Sequence, residues 1–327
     1  MKEKTLTLED IIKAQNKIKN YIIDTPLTES VYLSDDKQKV YFKLESSQEI
    51  KAFKIRGAFN KILNLDENDK KRGLAAISSG NHGVSISYVA KKLNLKAPTI
   101  IVPKNVSPAK VEKIKYYGAK VVMLGENYDQ AHKLGADYIK ENNLLEIDSW
   151  YNDAEVYAGQ GTIFLEIYEK LKDVDTLLVP IGGGGLLTGV MVCAKTLNPN
   201  IKVYGVQTAS CPAMKASLRD NICYDEYETE DSICESLTGG VGILAFNYCK
   251  KLLDDVLIVS EEEIKYATAY MGLKEQIIIE PSSATVIAAY TKYKELMGNK
   301  NVLIISGANP NPQLILDIFN EYKENFL

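Results

Sequence analysis

The chain has 327 residues, 46% hydrophobic and 25% charged, the balance of an ordinary globular protein with room for two domains. A net charge of −4 and a pI near 5.5 leave no basic face for a nucleic acid, so no nucleic-acid partner is expected. No apolar run approaches the roughly 18 residues of a membrane span, so no membrane association is expected, and the opening MKEKTLTLED lacks the apolar stretch of a signal peptide. Thr7 followed by Leu8, Glu9 and Asp10 reads as an N-cap with an acidic first turn. Ile11, Ile12, Ile18, Tyr21 and Ile22 place an apolar stripe on the helix it opens. Residues 40–44 are predicted as a strand. Buried strands come next at 75–78, 99–102 and 121–124, with helices around 83–93, 109–117 and 128–142. A second series of strands is predicted at 176–179, 203–206, 256–259 and 302–305, again separated by helices.

Alternating strands and helices of these lengths predict α/β architecture with a mostly parallel sheet. No internal repeat, low-complexity stretch or flexible linker divides the two series. Two domains, if present, are therefore interleaved and share a cleft. The cysteines, Cys193, Cys211, Cys223, Cys234 and Cys249, form no CxxC pair and read as reduced thiols in a cytoplasm. His82 and His132 are the only histidines, too few for a His-rich metal site or a Ser-His-Asp triad, so no metal is expected.

Ligands in open α/β sheets bind beyond the carboxyl ends of the strands. The residues just after each apolar run are therefore the candidates for chemistry. Lys51-Ala52-Phe53-Lys54-Ile55-Arg56-Gly57-Ala58 stands at a helix start, where a cation opposes the macrodipole. A lysine held there tends toward a lowered pKa and can serve as a nucleophile or Schiff-base amine; a solvated lysine is the plain alternative. Ser78-Ser79-Gly80-Asn81-His82-Gly83 also opens a helix, and its hydroxyls, amide and free N–H groups suit a carboxylate. Simple capping by Ser79 or Asn81 is the alternative. Ile181-Gly182-Gly183-Gly184-Gly185-Leu186 lies between a strand and a helix, where converging N–H groups suit a phosphate. It lacks the lysine of a Walker loop and the spacing of GxGxxG, and a merely flexible turn is the alternative. The last strand ends in Ser306-Gly307-Ala308-Asn309, another small polar cluster.

Together these residues resemble the fold type II pyridoxal-phosphate enzymes, in the branch of serine/threonine dehydratases (ammonia-lyases) and serine racemases. The resemblance runs from Thr25-Pro26-Leu27 and Lys43-Leu44-Glu45 through Phe53-Lys54-Ile55-Arg56-Gly57-Ala58 and the segment 78–83. It continues with Ala158-Gly159-Gln160-Gly161-Thr162, the glycine run, Glu280-Pro281-Ser282 and Ser306-Gly307. It implies a tryptophan synthase β-like fold of two interleaved, open, twisted α/β domains with the active site in the cleft. Residues 1–47 and 148–327 would form the large cofactor-binding domain and 48–147 the smaller, mobile one. It implies pyridoxal 5'-phosphate as cofactor, linked covalently to Lys54. Phe53 would flank the ring, Asn81 would contact its 3-hydroxyl, and Gly182, Gly183, Gly184, Gly185 and Leu186 would hold the phosphate. Glu280 would belong to the cofactor site and Ser306 would face the pyridine nitrogen. Ser78, Ser79, Asn81 and His82 would take the carboxylate of an amino-acid substrate, and a homodimer is the family's habit.

The implied activity is α,β-elimination from a β-hydroxy amino acid such as L-threonine or L-serine, giving a 2-oxo acid and ammonia. A neutral Ser306 cannot keep the pyridine nitrogen charged as a carboxylate would. Fewer electrons then enter the ring, and expelling a β-substituent becomes the easier outlet. Racemisation is the alternative. It needs a proton donor on the face opposite Lys54, and Ser79 stands where serine racemases carry serine and dehydratases often carry alanine. A non-catalytic ligand-binding homologue is the remote reading. Three departures from the family pattern bear on substrate range: Ile50-Lys51-Ala52 in place of Thr/Ser-Gly-Ser, Ala308 in place of glycine, and Ser236-Leu237 in place of a glycine-containing turn. Gln207 and Ala213 occupy positions that carry divalent-cation carboxylates in the racemase branch, so that site is expected to be absent or altered. With the last of these motifs close to Leu327, no C-terminal regulatory domain is expected.

Overall fold

Parallel strand pairing dominates the computed structural model, which describes residues 5–148 and 153–326. The strands in chain order are β1 (Leu27–Glu29), β2 (Lys39–Leu44), β3 (Leu74–Ile77), β4 (Thr99–Val102) and β5 (Lys120–Met123). They continue with β6 (Leu145–Glu146), β7 (Thr176–Pro180), β8 (Lys202–Thr208), β9 (Asp255–Val259) and β10 (Lys300–Ile305). Six form one sheet in the order β1-β2-β10-β7-β8-β9, and four form another in the order β5-β4-β3-β6. Among the described residues, only β1 runs antiparallel to its neighbouring strand. Strands β3, β4 and β7 are buried at every residue, because helices cover both faces of a parallel sheet. This is the mostly parallel α/β architecture that the sequence pattern implied, divided between two sheets.

Each predicted strand is present, with ends shifted by up to two residues. Two strands escaped sequence reasoning. At three and two residues, β1 and β6 are too short to carry an alternating or continuous apolar signal. The first helix, Leu8–Ile18, opens with the expected cap: Thr7 Oγ1 accepts from Asp10 N, and the Asp10 carboxylate accepts from Thr7 N. The predicted stripe on it needs correction. Ile11, Ala14 and Ile18 are buried, whereas Ile12 is 43% exposed and Tyr21 and Ile22 lie beyond the helix end. Among the described residues, no helix is long and apolar enough to cross a membrane.

The helix Lys54–Asn64 crosses the helix Ala154–Lys170 at two glycines. A Cβ on Gly159 would lie 2.6 Å from the carbonyl oxygen of Arg56, and one on Gly57 would lie 2.8 Å from Val156 Cγ1. That close approach drives Arg56 into the interior, fully buried. Its Nε and Nη2 donate to Glu45 at 2.7 and 2.8 Å, and its Nη1 and Nη2 donate to Glu166 at 2.6 and 2.7 Å. Lys43 Nζ donates to Glu166 Oε2 at 2.5 Å and to the Thr25 carbonyl at 2.8 Å. Two cations and two carboxylates thus neutralise one another where β2 and both helices meet.

Removing one member leaves an uncompensated buried charge. Arg56→Leu is expected to lower the unfolding free energy by about 3–5 kcal/mol in urea titrations, and Arg56→Lys to recover little, since an ammonium cannot make two forked pairs. Burial alone would raise the pKa of Glu45, but the Arg56 charge and hydrogen bonds outweigh it and hold the carboxyl below its ordinary 4.5. Its contribution to stability is therefore complete above 4.5 and lost as pH falls through the lower folded value. Glu45→Gln should flatten that part of the acid unfolding profile.

Candidate active site

A cavity of about 240 Å³ opens beyond the carboxyl ends of β3, β7 and β10, between the two sheets. Every site residue proposed from the sequence lines it: Phe53 and Lys54; Ser78, Ser79, Asn81 and His82; Gly182, Gly183, Gly184, Gly185 and Leu186; and Glu280 with Ser306. These come from five separate stretches of chain that only the fold brings together.

Backbone pairing places Lys54. Phe53 N donates to Ser306 O at 3.0 Å, Ala308 N donates to Lys51 O at 2.8 Å, and Ala52 bridges to Gly307. The segment before the lysine is thereby tied to the segment after β10, and Lys54 becomes the first residue of its helix. Lys51 sits at φ +59°, a left-handed conformation that costs a bulky residue about 1–2 kcal/mol and costs glycine nothing. This is the physical consequence of lysine at the position where the family pattern has glycine. Lys51 is exposed and does not line the cavity, so it does not compete with Lys54.

The Lys54 side chain opens partly to the cavity, and its Nζ lies 5.3 Å from the Phe53 ring centre. Burial lowers its pKa to about 8, against the opposing pull of Asp148 and Glu280. Desolvation is what frees the amine. His82 is buried, and Nε2 lies 2.6 Å from the Ile147 carbonyl oxygen. Burial first, then the Lys54 charge, depress its pKa to about 3, so it is neutral at physiological pH. Glu280 is buried with its pKa raised by desolvation, an effect that hydrogen bonds from Asn81 and Asn309 oppose. Asn81 Nδ2 lies 3.2 Å from both carboxylate oxygens, and Asn309 N lies 3.2 Å from Oε2. Asn309 Nδ2 also donates to Asn81 Oδ1 at 2.6 Å, which fixes the orientation of that amide.

The capping alternative for the serine loop fails. The N-cap of the helix Asn81–Lys92 is Gly80, and no side chain caps it. Ser78 Oγ accepts from Gly80 N at 3.2 Å, whereas Ser79 stands at the cavity wall with the helix N-terminus unclaimed. The glycine loop is equally specific. Gly184 is the N-cap of the helix Gly185–Leu197 at φ +96°, and a Cβ there would lie 2.5 Å from Ala245 Cβ. The first N–H groups of that helix have no side-chain cap and point past a loop without side chains, a cradle for an anion.

Sequence reasoning did not anticipate Ser283, Lys110 or Lys113. Ser283 lies inside the helix Pro281–Lys292 and its hydroxyl touches Ser306 Oγ at 2.9 Å. Lys110 and Lys113 reach from the helix Pro108–Tyr116 to Glu235 and Asn309. Their spacing of three marks one helix face, but nothing local shows what that face meets. Gln207 turns its carboxamide oxygen onto Met214 N and Lys215 N at 3.0 and 3.1 Å, so that oxygen is already engaged by the next helix. Among the described residues, no group of three or more His, Cys, Asp or Glu is placed to hold a metal.

A buried, readily neutral lysine beside a side-chain-free helix N-terminus fits a cofactor that brings both an aldehyde and a phosphate. The class so defined is that of the pyridoxal-phosphate enzymes. The family model "Pyridoxal-phosphate dependent enzyme" matches residues 18–307, and the chain belongs to that family. The chain is similar to the L-threonine ammonia-lyase of Thermotoga maritima, 38% identical over 97% of this chain and 79% of that one. It is likewise similar to the serine racemase of Dictyostelium discoideum, 37% identical over 97% and 98%. The crystal structure of that racemase superposes with a TM-score of 0.85, covering 94% of this chain and 100% of that one at 35% identity. The processed threonine deaminase isoform 2 of Solanum lycopersicum superposes with a TM-score of 0.89, covering 96% and 91% at 29% identity.

Only a neutral amine attacks an aldehyde. With cofactor-free protein and added pyridoxal phosphate, the rate of forming a borohydride-reducible linkage should rise with pH through about 8, rather than through the 10.5 of an ordinary lysine. Lys54→Ala should abolish the linkage while circular dichroism shows the fold intact.

Proposed function

We propose that this enzyme eliminates water from a β-hydroxy amino acid such as L-threonine or L-serine, and that hydrolysis of the product, which takes one water back up, releases a 2-oxo acid and ammonia. The observation that carries this reading is the pairing, in one cavity, of the Lys54 amine with the neutral hydroxyl of Ser306. Glu280, the buried carboxyl nearby, is held by Asn81 and Asn309. Relatives named L-threonine ammonia-lyase and L-threonine dehydratase support it.

Pyridoxal phosphate, when bound, supplies an electron sink for the bond broken at the substrate α-carbon. Lys54 would hold the cofactor and would serve as the base for the substrate α-proton; burial favours the neutral form that this task needs. Residues 182–185 with Leu186 would hold the phosphate on backbone N–H groups, Phe53 would flank the ring, Asn81, oriented by Glu280, would meet its 3-hydroxyl, and Ser306 would address the pyridine nitrogen. Ser78 and Ser79, with the open N-terminus beside Asn81 and a neutral His82, take the substrate carboxylate. Residues 48–147 would form the lobe that closes on the cleft, against 1–47 with 148–327, and the Lys110–Glu235 ion pair joins the two at the cavity wall. Five free cysteines support a reducing compartment, the cytoplasm, and the family resemblance supports a homodimer.

Incubation of the holoenzyme with L- and D-amino acids, following 2-oxo acid and enantiomer together, tests the reading. L-threonine or L-serine should yield 2-oxo acid and ammonia in equal amounts, and Lys54→Ala should yield neither. A holoenzyme that leaves both substrates unchanged overturns it.

One observation favours a racemase side activity. Ser79 lines the cavity and does not cap the helix, so its hydroxyl is available to exchange a proton on the face opposite Lys54. Wild-type enzyme should then convert L-serine slowly to the D-form, and Ser79→Ala should stop this while sparing L-elimination. Absence of α-proton exchange into D-serine in the wild type counts against it.

A further inference from the structure

The hydroxyl of Ser283 has one proton and two lone pairs, and it meets three groups. Gly307 N donates to it at 2.8 Å. Its own proton has two candidate acceptors, the Gly307 carbonyl at 2.9 Å and Ser306 Oγ at 2.9 Å. The Gly307 carbonyl already receives a hydrogen bond from Glu280 N at 3.2 Å, so it is not orphaned when Ser283 turns away. Both serines are buried, and only Ser306 lines the cavity. The direction of the bond between them decides what Ser306 offers to a ligand. If Ser306 donates to Ser283, its proton is spent and it can only accept; if Ser283 donates to Ser306, the Ser306 proton is free to point into the cavity.

We propose that Ser283 is a positioning residue that sets Ser306 as a hydrogen-bond donor toward the cofactor's ring nitrogen. The inference rests on the reading that Ser306 faces that nitrogen. An unprotonated pyridine nitrogen only accepts, so Ser306 must donate, and Ser283 must then donate to Ser306. The result is one chain in one sense, from Gly307 N–H through the Ser283 and Ser306 hydroxyls to the nitrogen. Each link polarises the next, and the chain ends in a stronger donor than an isolated hydroxyl. Without the ring, the Ser283 proton turns to the Gly307 carbonyl. Loading the site therefore reorients two hydroxyl protons and moves no heavy atom of this pair.

Pyridoxal phosphate labelled with nitrogen-15 in the ring, bound to the intact enzyme, reports this directly, because a pyridine nitrogen that accepts a hydrogen bond resonates upfield of a free one. Ser283→Ala adds no volume and favours the helix, so the variant should fold. Its ring nitrogen should move downfield, and the cofactor dissociation constant should rise about fivefold, the loss of one modest hydrogen bond. Ser283→Thr, which restores the hydroxyl, should return both toward wild type. An unmoved or upfield-shifted nitrogen in Ser283→Ala, or a threonine variant that behaves like the alanine one, overturns the proposal. Ser306→Ala separates the two levels. If it shifts the nitrogen and Ser283→Ala does not, the relay alone is wrong; if neither shifts it, the ring does not lie against Ser306 and the underlying reading falls as well.

Discussion

The buried cluster of Arg56, Glu45, Glu166 and Lys43 is the constraint on which the site depends. Arg56 comes two residues after Lys54 in the same first helical turn, and its guanidinium is gripped by carboxylates from the β2 end and from the helix Ala154–Lys170. A helix start anchored by several charge-assisted bonds in a low-dielectric interior has little freedom to rotate. The lysine therefore projects into the cavity from a fixed base. The glycines at the helix crossing serve the same end, since a Cβ on Gly57 or Gly159 would push the two helices apart and open the ion cluster to mismatch.

Electrostatics within the cavity run toward neutrality. Lys54 is lowered by burial, His82 is held neutral, and Glu280 is raised. The glycine loop offers an anion backbone N–H groups at an uncapped helix N-terminus rather than a lysine or arginine of its own. A cofactor that carries its own charge and its own electron sink suits such a surround. The protein contributes uncharged hydrogen-bonding groups, among them Ser306 at the cavity wall and its buried neighbour Ser283.

Much of this was legible in the sequence. Buried parallel strands announce themselves as short apolar runs, and glycines or serines directly after such runs mark the strand ends where ligands bind. Lys54, the serine loop, the glycine loop and Ser306 were found that way, each from a local pattern with a local physical meaning. Short β1 and β6 were not, because a two- or three-residue strand is defined by its partner and not by its own side chains. The exposure of Ile12 was misread for a similar reason: an apolar residue beside a stripe is buried only if a neighbouring element covers it.

By itself, then, the sequence determined the class of architecture and, through the family resemblance, the cofactor, and it singled out residues that line one cavity, because apolar strand runs and the small or polar residues that follow them are patterns of a few residues. Tertiary structure decided the rest. It showed that burial lowers the Lys54 amine. It showed that Gly80 leaves the serine loop uncapped, and that Lys51 adopts a backbone conformation suited to glycine. It also brought Ser283 to within 2.9 Å of Ser306 across a gap of 23 residues. Desolvation, hydrogen-bond direction and close approach depend on what lies across the interior, and no spacing along the chain encodes that.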